Sequence, residues 1–162
     1  MDQSYDYIFA IDPGKTGAVC IIDPTTGEIE QTKRFSNERD LRNWLMDWSR
    51  VSQNVAFAME NIHPSPIQSP STAGKMMENV GLWTMGIMAF FPRAPFHLVT
   101  AQEWQRPLNI KSRDYDARKA ELKSIAARTY PDSGVRITLV NCDAILIANY
   151  ACNNWPVGKL HS

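Results

Sequence analysis

The chain lacks the features that would mark a secreted, membrane-bound or strongly charged protein. Its three cysteines, Cys20, Cys142 and Cys152, stand singly in apolar surroundings with no CxxC spacing. That excludes a disulfide framework and a thiolate zinc site, and it reads as reduced thiols of an intracellular, cytoplasmic protein. No apolar run approaches the roughly 18 residues that span a bilayer. The start, Met-Asp-Gln-Ser-Tyr-Asp, has neither the basic nor the apolar region of a signal peptide. There are no repeats and no low-complexity tracts. Net charge is missing as well: 17 Lys and Arg balance 17 Asp and Glu, so no global field draws the chain to nucleic acid. Gly74-Lys75 lacks the upstream glycine and the following Ser or Thr of a phosphate loop. What remains is 162 residues, 44% of them hydrophobic, enough for one domain, 1–162, with a sizeable core.

The most informative stretch is Tyr5 to Gly17, YDYIFAIDPGKTG. Tyr7, Phe9 and Ile11 alternate with Ile8 and Ala10, so a strand here is apolar on both faces, as a central, doubly covered strand must be. It ends on Asp12. A carboxylate at the tip of a buried strand needs a cation or a set of donors to offset its desolvation. Alternatively, Asp12 simply starts the Pro13-Gly14 turn.

Ala18 to Asp23 and Glu28 to Phe35 read as the second and third strands, joined by tight turns into an antiparallel meander. Ser36 or Asn37 can cap a helix to about Ser49, with Leu41, Trp44, Leu45 and Trp48 on its apolar face. Val55 to Met59 is a buried strand expected to lie parallel to the first, and it too ends on an acid, Glu60. After the proline-rich loop HPSPIQSPS, a largely buried helix is expected from Ser71 to about Phe91. Its methionines are read as core filler, and Gly74 and Gly81 permit close backbone approach on one face. Phe96 to Val99 is a fifth strand. Thr100-Ala-Gln-Glu103 has capping-box spacing for a short helix carrying Trp104. An amphipathic helix follows over Ser112 to Tyr130, with Ala117, Ala120, Leu122, Ile125 and Ala126 as its apolar positions. The last helix runs from Asn141 to Asn153, with Asp143 in its first turn. An acid there is either functional or a partner of the helix dipole.

The first and fourth strands, as sheet neighbours, deliver Asp12 and Glu60 to one edge. The last helix can bring Asp143 over that edge. Three mutually repelling carboxylates in one cleft call for a divalent cation, and hard oxygen ligands suit Mg²⁺ or Mn²⁺. Such a site is built for phosphoryl transfer to water. Between Arg106 and Arg128, seven basic residues face three acidic ones, either a modest basic patch or a solvated helix face.

Several segments in order, IFAIDPGKTGAV, AFAMENIHPSP leading into SPSTAGKMMENVGLW, WQRPLNI and CDAILIANYA, resemble the RuvC-type Holliday-junction resolvases of the ribonuclease H-like superfamily, especially compact phage-like members. The resemblance covers residues 8 to 151. It implies an α/β, ribonuclease H-like fold with a mixed five-stranded sheet flanked by helices. It implies Asp12, Glu60 and Asp143 as catalytic metal ligands for one or two Mg²⁺ ions, with Mn²⁺ as a possible substitute. It implies a homodimer that nicks a four-way DNA junction in two strands of like polarity, leaving ligatable ends. His63 to Lys75 resembles the junction-facing region, and Lys111, Arg113, Arg118 and Lys119 stand where the family carries basic residues that contact phosphates. One departure is chemical. The family's fourth acid or histidine, about one turn before the last aspartate, is replaced by Leu139 and Val140. Asn141 is on the wrong helical face to substitute, which leaves Asp132 or His63 as loop donors. The alternatives are a junction-binding protein with weakened chemistry, a related nuclease acting on another branched or hybrid substrate, and an actin-like ATPase, for which 162 residues are too few.

Overall fold

The structure is a computed structural model, describing residues 5–14, 17–64 and 68–155. Lys15 and Thr16 of the PGKTG segment, Ser65, Pro66 and Ile67 of the proline-rich loop, and both chain ends lie outside the described residues. The elements in order are β1 (Tyr7–Ile11), β2 (Val19–Ile22), β3 (Ile29–Lys33), α1 (Glu38–Val51), β4 (Val55–Glu60), α2 (Pro70–Phe90), β5 (Phe96–Val99), α3 (Ala101–Gln105) running into a 3-10 turn (Arg106–Leu108), α4 (Tyr115–Thr129) and α5 (Cys142–Asn154).

One five-stranded sheet runs in the order β3-β2-β1-β4-β5. β1 is antiparallel to β2 and parallel to β4, and β4 is parallel to β5. The expected mixed topology is therefore the observed one. β1 is central because both of its faces are apolar, and each face has its own cover. Phe9 and Ile11 meet α1 and α2 through Leu41, Trp44, Leu45, Trp83 and Ile87. Ile8 and Ala10 meet α5 and Leu122 of α4. Phe9 holds the first of these layers, with ring centroids 5.7 Å from Trp44, 5.4 Å from Trp48 and 4.9 Å from Phe57, separations at which aromatic pairs add to simple area burial. On the other face, the run Cys142 to Ala148 of α5 is wholly buried, and each Leu or Ile there contributes about 1.5–3 kcal/mol.

Local signals explain the element ends. The Asn37 side chain caps α1 by accepting from Asp40 N–H at 2.9 Å. Thr100 and Glu103 form the reciprocal capping box of α3. α4 starts three residues later than expected, because Asp114 takes the cap by accepting from Ala117 N–H at 3.0 Å. Only Leu122 and Ala126 of its five expected apolar positions are buried, and Ala117 and Ala120 face solvent.

The larger correction concerns α2. Of its residues only Trp83 and Ile87 are buried, while Met77, Met85 and Met88 are 48%, 66% and 62% exposed. These methionines are not core filler. Nor do Gly74 and Gly81 approach another element of the same chain, since a Cβ at either would meet nothing within 4 Å. The close approach is at Gly86, where a Cβ would lie 2.5 Å from Leu45 Cδ1. No helix among the described residues is long and apolar enough to cross a membrane.

Candidate functional site

The parallel register of β1 and β4 pairs Ile11 with Met59. The next residues, Asp12 just past β1 and Glu60 at the last position of β4, therefore stand side by side at one edge. Asp12 N–H donates to Ala18 C=O at 2.9 Å, and its Oδ1 accepts from Gly14 N–H at 2.9 Å. The turn role foreseen for Asp12 is thus real, and it coexists with a position at the tip of a buried strand. Gly17 is required for this geometry. A Cβ there would lie 1.9 Å from the Asp12 carbonyl oxygen, where no side chain fits.

Asp143 arrives from the opposite layer. Asn141, just before α5, donates its side-chain N–H to Thr32 Oγ1 at 3.2 Å and to Arg136 C=O at 3.0 Å. Its Oδ1 accepts from Thr138 N–H at 2.7 Å. The start of α5 is thereby tied to β3, and Asp143 in its first turn is held only 7% exposed. Lys119 of α4 places Nζ 2.6 Å from Asp143 Oδ2, and the Cys142 thiol donates to Oδ1 at 3.3 Å.

The three acids influence one another electrically. Burial pushes the Asp12 carboxyl up; the Gly14 N–H opposes this, the Asp143 charge reinforces it and the Lys119 ammonium opposes it. Glu60 is pushed up to about 7, first by burial and then by the Asp12 charge. The Trp104 indole N–H, donating to Glu60 Oε1 at 3.1 Å, pulls it back. Burial works to lower Lys119, but the Asp143 hydrogen bond and the Asp143 and Asp12 charges outweigh it and hold Lys119 above its ordinary value. One ammonium thus faces three carboxyl groups.

Whether these residues fit a metal is decided by the donors themselves. Among the described residues, no three Asp, Glu, His or Cys side chains are grouped closely enough to hold a cation as they stand. Each acid is drawn to its own partner: Asp12 to Gly14, Glu60 to Trp104, Asp143 to Lys119. Yet Asp12 Oδ2 and Glu60 Oε2 accept no hydrogen bond among the described residues. Carboxylates raised by burial and then by mutual repulsion are also groups that gain from a cation. The donor set, hard carboxylate oxygens from three separate parts of the chain, is of the chemical kind that divalent ions such as Mg²⁺ take.

The remaining sequence candidates separate. Leu139 is 51% exposed and Val140 packs against the α5-side core, so neither supplies a donor. His63 is exposed on the loop after β4, and Asp132 lies beyond α4 beside Gly27 and Glu28. Neither bonds to the acids among the described residues. Lys119, expected at phosphates, pairs with Asp143. Arg113 and Arg118 line a separate cleft. The exposed Lys111 donates its backbone N–H to Glu121. Residues the sequence did not single out include Trp104 as a partner of Glu60. Arg34 was also missed: it lines a cleft of about 430 Å³ with Asp12, Phe35, Lys75 and Trp83. Lys75 belongs to the segment expected to face a junction, whereas nothing in the local pattern marked Arg34.

No protein-family model matches the chain, and no curated protein matches it in sequence. Its backbone is similar to solved structures. A structure of Thermus thermophilus RuvC in complex with Holliday junction substrate superposes with a TM-score of 0.66 at 12% identity, covering 92% of this chain and 96% of that one. A second Thermus thermophilus RuvC structure gives 0.60 at 12% identity, covering 91% and 95%. The sheet order, the two helical layers and the near-complete mutual coverage lead to one conclusion: this chain has the RuvC fold.

Proposed function

We propose that the protein is a divalent-metal-dependent endonuclease that resolves four-way DNA junctions by paired nicks, with residues 1–162 acting as one domain inside the cell. The observation that carries this reading is the delivery of Asp12, Glu60 and Asp143 from two strands and a helix to one sheet edge, inside a RuvC fold. These three would be the catalytic metal ligands. One or two Mg²⁺ ions, or Mn²⁺, bound among them would polarise the scissile phosphate and activate water. The chain's own residues do the positioning. The Gly14 N–H and Gly17 hold Asp12 at the strand end, the Trp104 indole aims Glu60, and the Asn141 network fixes the first turn of α5. Lys119, bonded to Asp143, would offset part of the acids' charge. Lys111, Arg113 and Arg118 supply positive charge alongside.

The same reading calls for a homodimer, so that two sites meet one junction. Gly74, Met77, Gly81, Met85 and Met88 are all exposed and recur at three- and four-residue spacing along α2. This small-and-flexible apolar stripe suits a second copy of the helix.

The test is cleavage of a labelled, branch-migratable four-way junction beside linear duplex and an RNA–DNA hybrid, with Mg²⁺, Mn²⁺ or EDTA. Symmetric nicks on the junction, abolished by EDTA and by Asp12→Asn while binding persists, are the expected result. Wild-type rates from Asp12→Asn would refute the site. A second reading, a junction-binding protein with weakened chemistry, is favoured by Leu139 and Val140 where a fourth ligand would stand. Tight binding without nicks in either metal would select it, and cutting of the hybrid would change the substrate.

A further inference from the structure

Beside the acid edge, on the side of the sheet covered by α1 and α2, lies a cleft of about 430 Å³. It sits between the Asp12–Gly14 turn, the β3–α1 connection and the first half of α2. Its apolar wall is Phe35, half-buried and pinned by ring contacts of 5.1 Å to Trp44 and 5.3 Å to Trp83. The polar lining carries both signs. Arg34 and Lys75 stand against three carboxyl groups, Asp12, Glu38 and Glu78, so an isolated anion gains little from the whole. Asn79 is half-buried in this lining, and its amide makes no hydrogen bond among the described residues. Arg34, Lys75, Glu38 and Glu78 likewise form no ion pair among them. Ser36 and Asn37, by contrast, are engaged with each other and with Asp40. A fixed aromatic wall, an unpaired amide and a rim of mixed donors and acceptors suit a flat, neutral heterocycle with a polar edge. A phosphate is a poor match.

We propose that this cleft receives one nucleobase, belonging to a nucleotide directly beside the scissile phosphate, and so gives the cut a base preference. The proposal rests on the nuclease reading and adds a specificity site to it. Adjacency follows from Asp12, which belongs both to the cleft and to the acid edge. A strand with its phosphate at the acids therefore has a neighbouring base within one nucleotide of Phe35. Contact with that ring supplies affinity that every base can share. The Asn79 amide supplies discrimination, since an Asn side chain pairs with an exocyclic amine and the adjoining ring nitrogen through two hydrogen bonds. Adenine and cytosine present that pair, and thymine has no exocyclic amine. The carboxylates of Glu38 and Glu78 add acceptors for the same amine. The expected order is adenine or cytosine over thymine. A base reaches such a cleft only when unstacked, which costs least where pairing is already interrupted, as at a branch point.

The first measurement uses nucleosides alone: titration with deoxyadenosine, deoxycytidine and thymidine, following the Asn79 side-chain amide and Trp83 indole N–H resonances by NMR. Saturable shifts of both with deoxyadenosine and deoxycytidine, weaker with thymidine, are expected. In Asn79→Ala the Trp83 response should no longer distinguish deoxyadenosine from thymidine. No shift, or shifts unchanged in both Asn79→Ala and Phe35→Leu, overturns the proposal. The second measurement is binding in EDTA to four-way junctions in which one abasic site is walked along a strand. Wild type should lose about 10-fold in affinity at a single position beside the mapped nick, the size of one lost base–aromatic contact. Phe35→Leu should bind the intact junction more weakly and be insensitive at that position. With Mg²⁺, thymine there should be cut about 10-fold more slowly than adenine, and Asn79→Ala should erase the difference. Nucleoside binding with the expected preference, in a protein that neither binds nor cuts junctions, would keep the base site and remove the nuclease reading. Junction cleavage indifferent to the abasic position and to base identity would remove the base site and keep the nuclease. Asn79→Ala deletes only an unpaired amide, so it carries the test even where Phe35→Leu loosens the aromatic cluster.

Discussion

Lys119 Nζ and Asp143 Oδ2 lie 2.6 Å apart although 24 positions separate them in the chain. Both side chains are mostly buried, with 20% and 11% of their surface left exposed. The pair joins α4 to α5, and among the described residues its ammonium is the one cation bonded to any of the three acids. A metal ion entering this edge, as proposed, would therefore compete with an internal cation.

Removing that cation uncovers the repulsion it masks. Lys119→Met should destabilise the metal-free protein by about 2–3 kcal/mol, somewhat less than a fully buried broken pair because solvent still reaches it. Urea unfolding in EDTA and in excess Mg²⁺ checks this. The deficit should shrink when the divalent ion is present, and a deficit equal in both conditions would show that Lys119 acts only through packing.

Glu60 sets an unusual pH dependence. Its folded value of about 7 lies above the ordinary 4.5, so the folded metal-free protein binds the proton more tightly than the unfolded chain does. That stabilisation is fully present below about 4.5 and is lost as pH rises through about 7, the reverse of a salt-bridged carboxylate. Asp12, raised as well, acts in the same sense. Thermal unfolding in EDTA between pH 5 and 8 should show a fall of about 1–2 kcal/mol from Glu60 after allowing for its partial solvent access. Glu60→Gln should flatten the profile and melt higher than wild type at pH 8.

Two glycines make a paired test of backbone demand. Gly17→Ala forces a methyl against the Asp12 carbonyl and should cost about 3 kcal/mol or more, at the upper end of overpacking penalties. Gly74→Ala meets open space within a helix and should gain about 0.5–1 kcal/mol. Denaturant midpoints compare them directly. Near-neutral behaviour at Gly17 would mean that the strand end yields more than its contacts imply.

The exposed methionine stripe predicts an oligomer. Met85→Glu should shift the protein from dimer to monomer in light scattering while leaving near-UV circular dichroism unchanged. A wild type that is monomeric at tens of micromolar would remove the stripe as an interface.

The legible parts of the fold were those written in local period and punctuation. β1 and β4 each present an apolar run with an acid at its end, so their parallel pairing and the shared edge of Asp12 and Glu60 could be read in advance. The Asn37 cap and the Thr100–Glu103 box are likewise short-range. α2 was misjudged because methionine, glycine and alanine count as apolar whether they face a core or open space, and only the position of Leu45 and Trp44 opposite Trp83 decides which stripe is covered. The pairing of Lys119 with Asp143 and of Trp104 with Glu60 arises from helix placement across the sheet. No spacing within either helix encodes it.

The seat of α5 against β1 has a kinetic consequence. The inner faces of the first two strands are covered by a helix encoded more than a hundred positions later, so one half of the core closes only through contacts of high sequence separation. Chains with such contact order fold slowly. Until α5 docks, Ile8, Ala10, Cys20 and Ile22 stand open on a formed meander, a sticky surface with neighbours to recruit. Refolding yield should thus fall with protein concentration more steeply than stability alone would suggest, and a fragment ending before Asn141 should aggregate rather than persist as a partly built fold.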